Sequence, residues 1–232
     1  HLPGDKATMN RLDISAARST ESVLSTNKLI KNTYTLLSGT LIWSAIMAVV
    51  SMAIAPPPMF SLIASFGALG LLWFVLPRTA NSANGLWVVF AVTGLLGFGL
   101  GPTLNYYVAL PNGPQLIATA FGGTGIIFLG LSGYALTTKR DFSFMGGFIF
   151  AGMLVVMLAS LAGLFLNMPA LHLAISAAVI MLMSGYILFE TSQMINNQGQ
   201  TNYIMTTVGL YLAILNIFTS LLHLLGALGG DD

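Results

Sequence analysis

Polar and apolar positions along this chain fall into long blocks. A polar stretch over 1–33 precedes seven apolar runs at about 34–54, 59–77, 86–107, 115–137, 142–166, 169–190 and 203–228. Each is near the ~20 residues that carry a helix across the hydrocarbon of a bilayer. The breaks between them hold turn chemistry. Pro56-Pro57-Pro58 stops the first run, Pro77 to Gly85 separates the second and third, and Pro111-Asn112-Gly113-Pro114 the third and fourth. Lys139-Arg140-Asp141 separates the fourth and fifth, and Asn196 to Asn202 the last two. Asn167-Met168-Pro169 opens the sixth, with Asn167 expected as its cap and Pro169 in its first turn. Pro102 predicts a kink or a termination near the end of the third. The predicted fold is all-α: a polytopic membrane protein with seven transmembrane helices over 34–230, behind a cytoplasmic tail over 1–33. The tail is expected to be solvated, its first part without regular structure and Glu21 to Lys31 able to form a short interfacial helix.

Composition agrees with the pattern. The chain is 56% hydrophobic and 6% charged, with a mean hydropathy of +0.84. Soluble domains carry about 25% charged residues, so this chain lacks the charge to coat a water-facing surface, and its length leaves no room for a separate soluble domain. It has no cysteine, which excludes disulfides, thiolate metal sites and thiol catalysis. No cleavable signal peptide is visible in the polar start. HLPGDKAT before Met9 is read as an added segment, with Met9 the expected native start.

The net charge of +1 says little about partners, but the placement of charge says more. Numbering the loops alternately, the tail carries Lys6, Arg11, Arg18, Lys28 and Lys31, the second internal connection Arg78, and the fourth Lys139 and Arg140. All eight basic residues then lie on one side. Cytoplasmic loops carry the excess of Lys and Arg, so the N-terminus is expected inside and Asp231-Asp232 outside.

Small residues mark expected helix seams, because they let backbones approach where lipid supplies no hydrophobic drive between helices. Gly94, Gly97, Gly99 and Gly101 lie on the third helix, Gly122, Gly123, Gly125 and Gly130 on the fourth, and Gly146, Gly147 and Gly152 on the fifth. Gly122 to Gly125 lies inside an apolar span with no flanking Lys, which excludes a phosphate loop.

One acidic residue, Glu190, lies inside an apolar span, near the cytoplasmic end of the sixth. An intramembrane carboxylate is costly and raises a functional question. Three readings stay open: an interfacial residue reaching the headgroups; an acceptor holding helices together through Asn216, Tyr186 or Thr191; or a titrating, cation-binding group. A gate built on carboxylates normally uses two, since two acids sharing a site force one to keep its proton. Counting inward from Tyr203 puts Ala213 to Asn216 at the depth of Glu190, with no second acid and with Asn216 the strongly polar candidate. His172 and His223 both fall near the outer face. They are read as hydrogen-bonded structural histidines, as a pH-responsive pair, or as two ligands of a metal site that lacks a third. The chain has no His-Glu-x-x-His, no aspartate pair and no Gly-x-Ser-x-Gly, so no enzyme is expected. Serines such as Ser44, Ser132 and Ser184 are expected to bond their own helices, and the methionines to pack.

Four stretches together resemble a known family: Gly101-Pro-Thr-Leu-Asn-Tyr106, Lys139-Arg-Asp-Phe-Ser-Phe144, Gly185-Tyr-Ile-Leu-Phe-Glu-Thr-Ser-Gln-Met194 and Leu210-Tyr-Leu-Ala-Ile-Leu-Asn-Ile-Phe218. In order and spacing the chain resembles the Bax inhibitor-1 family from about residue 20 onward. Asn27-Lys-Leu-Ile-Lys-Asn-Thr-Tyr34 and Leu171-His-Leu-Ala-Ile-Ser176 bring it nearer the bacterial YccA branch. The resemblance implies six helices wrapped around a central seventh. Some members are pH-sensitive calcium leaks in which an aspartate on helix six pairs with one on helix seven. Those positions match Glu190 and Ala213 here, so half of that device is missing, while Asn216 keeps the family's asparagine. The YccA branch implies instead a modulator of FtsH, a membrane-anchored AAA+ zinc protease of the bacterial inner membrane, working with that protease and its membrane-anchored cofactor complex. Zinc and ATP would belong to the protease; no cofactor or metal is expected in this chain. The expected function is therefore modulation of FtsH. The alternative is a pH-sensitive cation (calcium) leak with Glu190 titrating, and a structural membrane component is a third reading.

Overall fold

A computed structural model describes residues 4–197 and 201–229, with side chains from residue 13 onward. Among these residues lie seven helices long and apolar enough to cross a membrane. They are α1 (Gly4–Ile54), α2 (Met59–Thr79), α3 (Asn84–Val108), α4 (Gly113–Thr138), α5 (Met145–Phe165), α6 (Pro169–Asn196) and α7 (Tyr203–Leu228). The apolar runs thus set the number and order of the spans.

Proline chemistry shapes three of them. The residue before a proline is pushed out of the helical region; Ala55, before Pro56, ends α1 in a left-handed conformation at φ 51. In α2 the turn over Leu71–Val75 is widened, and the Leu76 amide donates to the Leu71 carbonyl, one residue further back than in an α-helix. Pro77 lacks an amide hydrogen and its ring crowds the carbonyl of Trp73, four residues back, so the turn opens to clear it. Pro102 breaks α3 as expected: the helix stops at Gly99, Leu100 donates to Gly97 over 3.0 Å, and helix resumes at Gly101.

Two local expectations are corrected. The tail is not irregular: α1 is one helix of 51 residues from Gly4, with Leu29 and Thr33 already buried. Its polar beginning favours helix as much as solvation, and the packed half extends the nucleus. Asn167 is not the cap of α6. Met168 holds that position, with no side-chain bond, and Pro169 fills the first turn.

Helix α7 is the centre of the bundle. It packs on α6, α4, α1 and α3, while α2 rests on α3 and α5 on α6 as outer elements. The α1–α3 seam uses the predicted glycines. A Cβ at Gly97 would collide with the Ser44 backbone carbonyl, one at Gly101 with Ser51, and one at Gly94 would stand 2.6 Å from the Trp43 indole nitrogen. In α5, Gly146 and Gly152 receive Phe189 and Leu182 of α6. The α4 expectation mostly fails. Gly123 touches Leu221, but Gly122, Gly125 and Gly130 have nothing within 4 Å and look outward.

The connections at the basic end are tied together. Asn202 caps α7 by accepting from the amides of Ile204 (2.9 Å) and Met205 (3.2 Å), and its amide donates to the Ala80 carbonyl (3.1 Å) and Asn81 Oδ1 (2.7 Å) beyond α2. Ser192 of α6 accepts from the Phe142 amide (2.8 Å) and donates to the Arg140 carbonyl (3.1 Å). Arg78, Lys139 and Arg140 therefore share one end of the bundle.

Candidate functional site

Near the basic end, α1, α4 and α6 around α7 place polar side chains inside an apolar shell. Helix α6 runs six residues beyond Glu190, to Asn196, so the carboxylate sits within the helix and not at its tip. Glu190 is half-buried and faces the start of α7. The Thr206 hydroxyl lies against it, buried but short of a well-formed hydrogen bond. One turn earlier, Tyr186 is within electrostatic reach of the carboxylate, and its hydroxyl lies over Gly209, where any Cβ would overlap it. Phe189 flanks Tyr186 with ring centroids 6.4 Å apart.

The depth count from the sequence is corrected by this pairing. Glu190 meets Thr206, and Tyr186 meets Gly209; Ala213 lies about two turns deeper and is fully buried in the apolar core with Ile187, Met194 and Ile217. Asn216 does not face Glu190. Its amide is exposed and donates to the Leu212 carbonyl of its own helix over 2.7 Å. Of the proposed partners, Tyr186 is close to Glu190, whereas Thr191 turns to α4 and contacts Ser132 at 3.4 Å. Ser132 in turn bonds the Tyr34 hydroxyl of α1. On the α1 side, Thr207 donates to the Thr33 carbonyl at 3.3 Å, and the Thr33 hydroxyl is buried without a partner.

The two histidines have different surroundings. His172 is turned to α5, where a Cβ on Gly163 would stand 3.2 Å from its ring, and His223 is exposed on α7. No group of three His, Asp or Glu able to hold a metal occurs among the described residues.

A second polar cluster, which the sequence did not signal, sits deeper on α7. Tyr211 is 1% exposed; it donates to the Thr93 carbonyl (3.3 Å) and so receives the Ser44 hydroxyl at 2.6 Å. Thr93 bonds back to Val89 at 2.9 Å, and the Trp43 indole donates to the Phe90 carbonyl at 3.0 Å. The signal available was the small face of Gly94 and Gly97 opposite Ser44, which marks close backbone approach but not what bonds across it.

Chemically, the Glu190 layer offers one carboxylate and several hydroxyls, each able to donate or accept. Among the described residues it brings together no second acid, no nucleophile with a base and no ligand set.

Comparison with known proteins places this arrangement in context. The family model "Inhibitor of apoptosis-promoting Bax1" matches residues 26–230. The "Modulator of FtsH protease YccA" of Escherichia coli (strain K12) is 47% identical over 223 residues, covering 96% of this chain and 100% of the relative. An "Uncharacterized membrane protein" of Vibrio cholerae is 49% identical over 224 residues, covering 97% and 100%. The "Uncharacterized protein PA2604" of Pseudomonas aeruginosa is 45% identical over 203 residues, covering 88% and 90%.

Proposed function

The chain belongs to the Bax1-inhibitor family, and from that premise we propose that it modulates the membrane-bound protease FtsH in inner-membrane protein quality control. The observation that carries this reading is the end-to-end similarity to a relative named as a modulator of that protease. A relative of the same identity and coverage carries the name "Inner membrane protein YccA", in keeping with the bacterial inner membrane as the site of action. The segregated basic residues favour the N-terminus in the cytoplasm and the C-terminus outside. The protein acts by being bound, not by catalysis.

The physical means is a handle on a resistant body. From Asp13 to Glu21 the side chains of α1 are exposed. A helical segment without tertiary cover opens at little cost, which suits a pulling enzyme. The glycine-seamed bundle behind it resists extraction. Affinity purification of the full chain from native membranes is expected to recover the protease and its membrane-anchored cofactors; their absence would overturn the reading. Deleting residues 1–25 is expected to abolish processing while leaving the bundle folded, and unchanged degradation would remove the handle. Purified protein in liposomes is expected to give no calcium flux, because Glu190 faces Thr206 where a leak built on two carboxylates needs a second acid. A pH-dependent flux lost in Glu190→Gln would establish the cation-leak alternative instead.

A further inference from the structure

Helices α4 and α5 both pack on α6, yet among the described residues they form no seam with each other. On α6, Leu182, Gly185 and Phe189 meet α5 at Gly152, Met145 and Gly146, while Thr191 meets α4 at Ser132. Tyr186 and Glu190 face α7. At 3.6 residues per turn, the arc of α6 opposite α7 holds Ala174, Ala177, Met181, Ser184 and Leu188. The first three are exposed and the last two half-buried. This strip is the floor of a groove between two splayed helices, and its small side chains keep the groove deep.

The connection from α4 to α5 closes the basic end of the groove. Ser192, one turn beyond Leu188 on the same strip, accepts from the Phe142 amide and donates to the Arg140 carbonyl, and the Asn196 amide reaches that carbonyl at 3.4 Å. Lys139 is held left-handed at φ 52, at a helix end that glycine usually fills. Tyr134, Phe142 and Phe144 follow one another with ring centroids 6.3 Å apart, and Phe144 is 78% exposed. The backbone is thus fixed, but its cations are not used. Lys139 and Arg140 are exposed, and among the described residues neither side chain has an ion-pair or hydrogen-bond partner. The adjacent acid, Asp141, turns Oδ1 to the Ser143 amide at 2.9 Å.

We propose that this groove holds one anionic phospholipid, with an acyl chain along the α6 strip and the headgroup phosphate against Lys139 and Arg140. The occupant must be apolar along the strip and anionic at its basic end. From Leu188 to Ala177 the strip runs about 16 Å, the depth of one leaflet of a ~30 Å hydrocarbon core. A guanidinium can take a phosphate through two parallel bonds, and basic pockets between membrane helices are suited to anionic headgroups. A free phosphate would have no use for the apolar floor, and a partner helix none for the two cations. The groove lies on the opposite side of α6 from Glu190 and does not rest on the protease reading.

Native mass spectrometry of the full chain in detergent, titrated with phosphatidylglycerol or with phosphatidylcholine of the same acyl chains, tests the site. One phosphatidylglycerol per chain is expected to be retained, with affinity about tenfold above phosphatidylcholine. Changing Lys139→Gln and Arg140→Gln together is expected to weaken that retention by about ten- to thirtyfold. Arg78→Gln, at the same end on another connection, is expected to leave it unchanged. Ala177→Phe, which fills the strip, is expected to weaken retention with both cations in place. All these positions are exposed, and an unchanged melting temperature without added lipid checks each fold. Inorganic phosphate is expected not to displace the lipid, and a photo-reactive side chain at Met181 in native membranes is expected to capture phospholipid. Equal retention of the two lipids overturns the proposal, as does an equal loss in Arg78→Gln, which marks diffuse surface charge. Full retention in Ala177→Phe or displacement by phosphate reduces the site to an anion contact, and a protein adduct at Met181 gives the groove to a partner helix; either overturns the proposal.

Discussion

Two polar clusters sit on the same central helix, barely more than a turn apart, and they are built oppositely. Around Tyr211 the groups are matched: Ser44 bonds Tyr211, Tyr211 donates to the Thr93 carbonyl, and the Thr93 hydroxyl is separately satisfied by the Val89 carbonyl, under a backbone approach that Gly94 and Gly97 make possible. Around Glu190 the groups are crowded but incompletely matched, with the Thr33 and Thr206 hydroxyls buried and lacking a well-formed bond. A satisfied buried network rigidifies, while an unsatisfied group costs the folded state. The deeper cluster is therefore a clamp, joining α1, α3 and α7. The Glu190 layer holds polar capacity that the fold itself does not consume.

The contrast is sharpest at the glycine seam. Gly97→Val puts side-chain atoms into the Ser44 carbonyl, where no flexible neighbour can yield. It is expected to destabilise by about 3 kcal/mol or more, read as a lost or strongly lowered thermal transition in detergent. Gly122→Ala, with open space around it, is the matched control and is expected to stabilise by up to ~1 kcal/mol.

Tyr211→Phe comes next. It removes the relay and strands Ser44, at an expected cost of about 1–2 kcal/mol. Thr206→Val deletes a hydroxyl that completes no network, so its expected effect is within about 0.5 kcal/mol in either direction. Equal losses for the two variants, in the same melting assay, would erase the distinction between clamp and layer.

The smallest effect belongs to a contact outside the membrane. Asp141 accepts from the Ser143 amide at 2.9 Å, and this bond holds its carboxyl below the usual range. A depressed folded value means the contribution is present above the unfolded value near 3.9 and is lost as pH falls through the folded one. The small stability gap between the protein and Asp141→Asn is expected to close in acid. A gap that widened there would reverse the assignment. Neither polar cluster on α7 should be affected by this variant, which separates surface capping from the intramembrane clamp.

The candidate site was legible in one coordinate only. Glu190 stood out because a carboxylate among apolar residues is visible without a structure. Its partner was not: the sequence count offered Ala213 to Asn216, and the helices pair it with Thr206. An error of about two turns arises because depth depends on how far α6 continues and how tightly the 197–202 connection closes, and neither is written in hydropathy. Asn216 shows the same limit. Its polarity was evident, but whether it faced the core or the lipid depended on the azimuth of α7.

What the sequence by itself determined follows from local physics. Runs of apolar residues of bilayer length became seven helices. Prolines at 56, 77 and 102 set an end, a widened turn and a break. Glycines at 94, 97 and 101 made the α1–α3 seam, and the basic residues marked one end. What only the tertiary structure decided is rotational: which α4 glycines look into lipid, which residue meets Glu190, that Tyr211 clamps Ser44, and that α6 keeps an open strip between α4 and α5. In water, a helix announces its buried face by alternating polar and apolar positions. Here the solvent is as apolar as the core, so nearly every face reads alike, and only packing against neighbours selects which one turns inward.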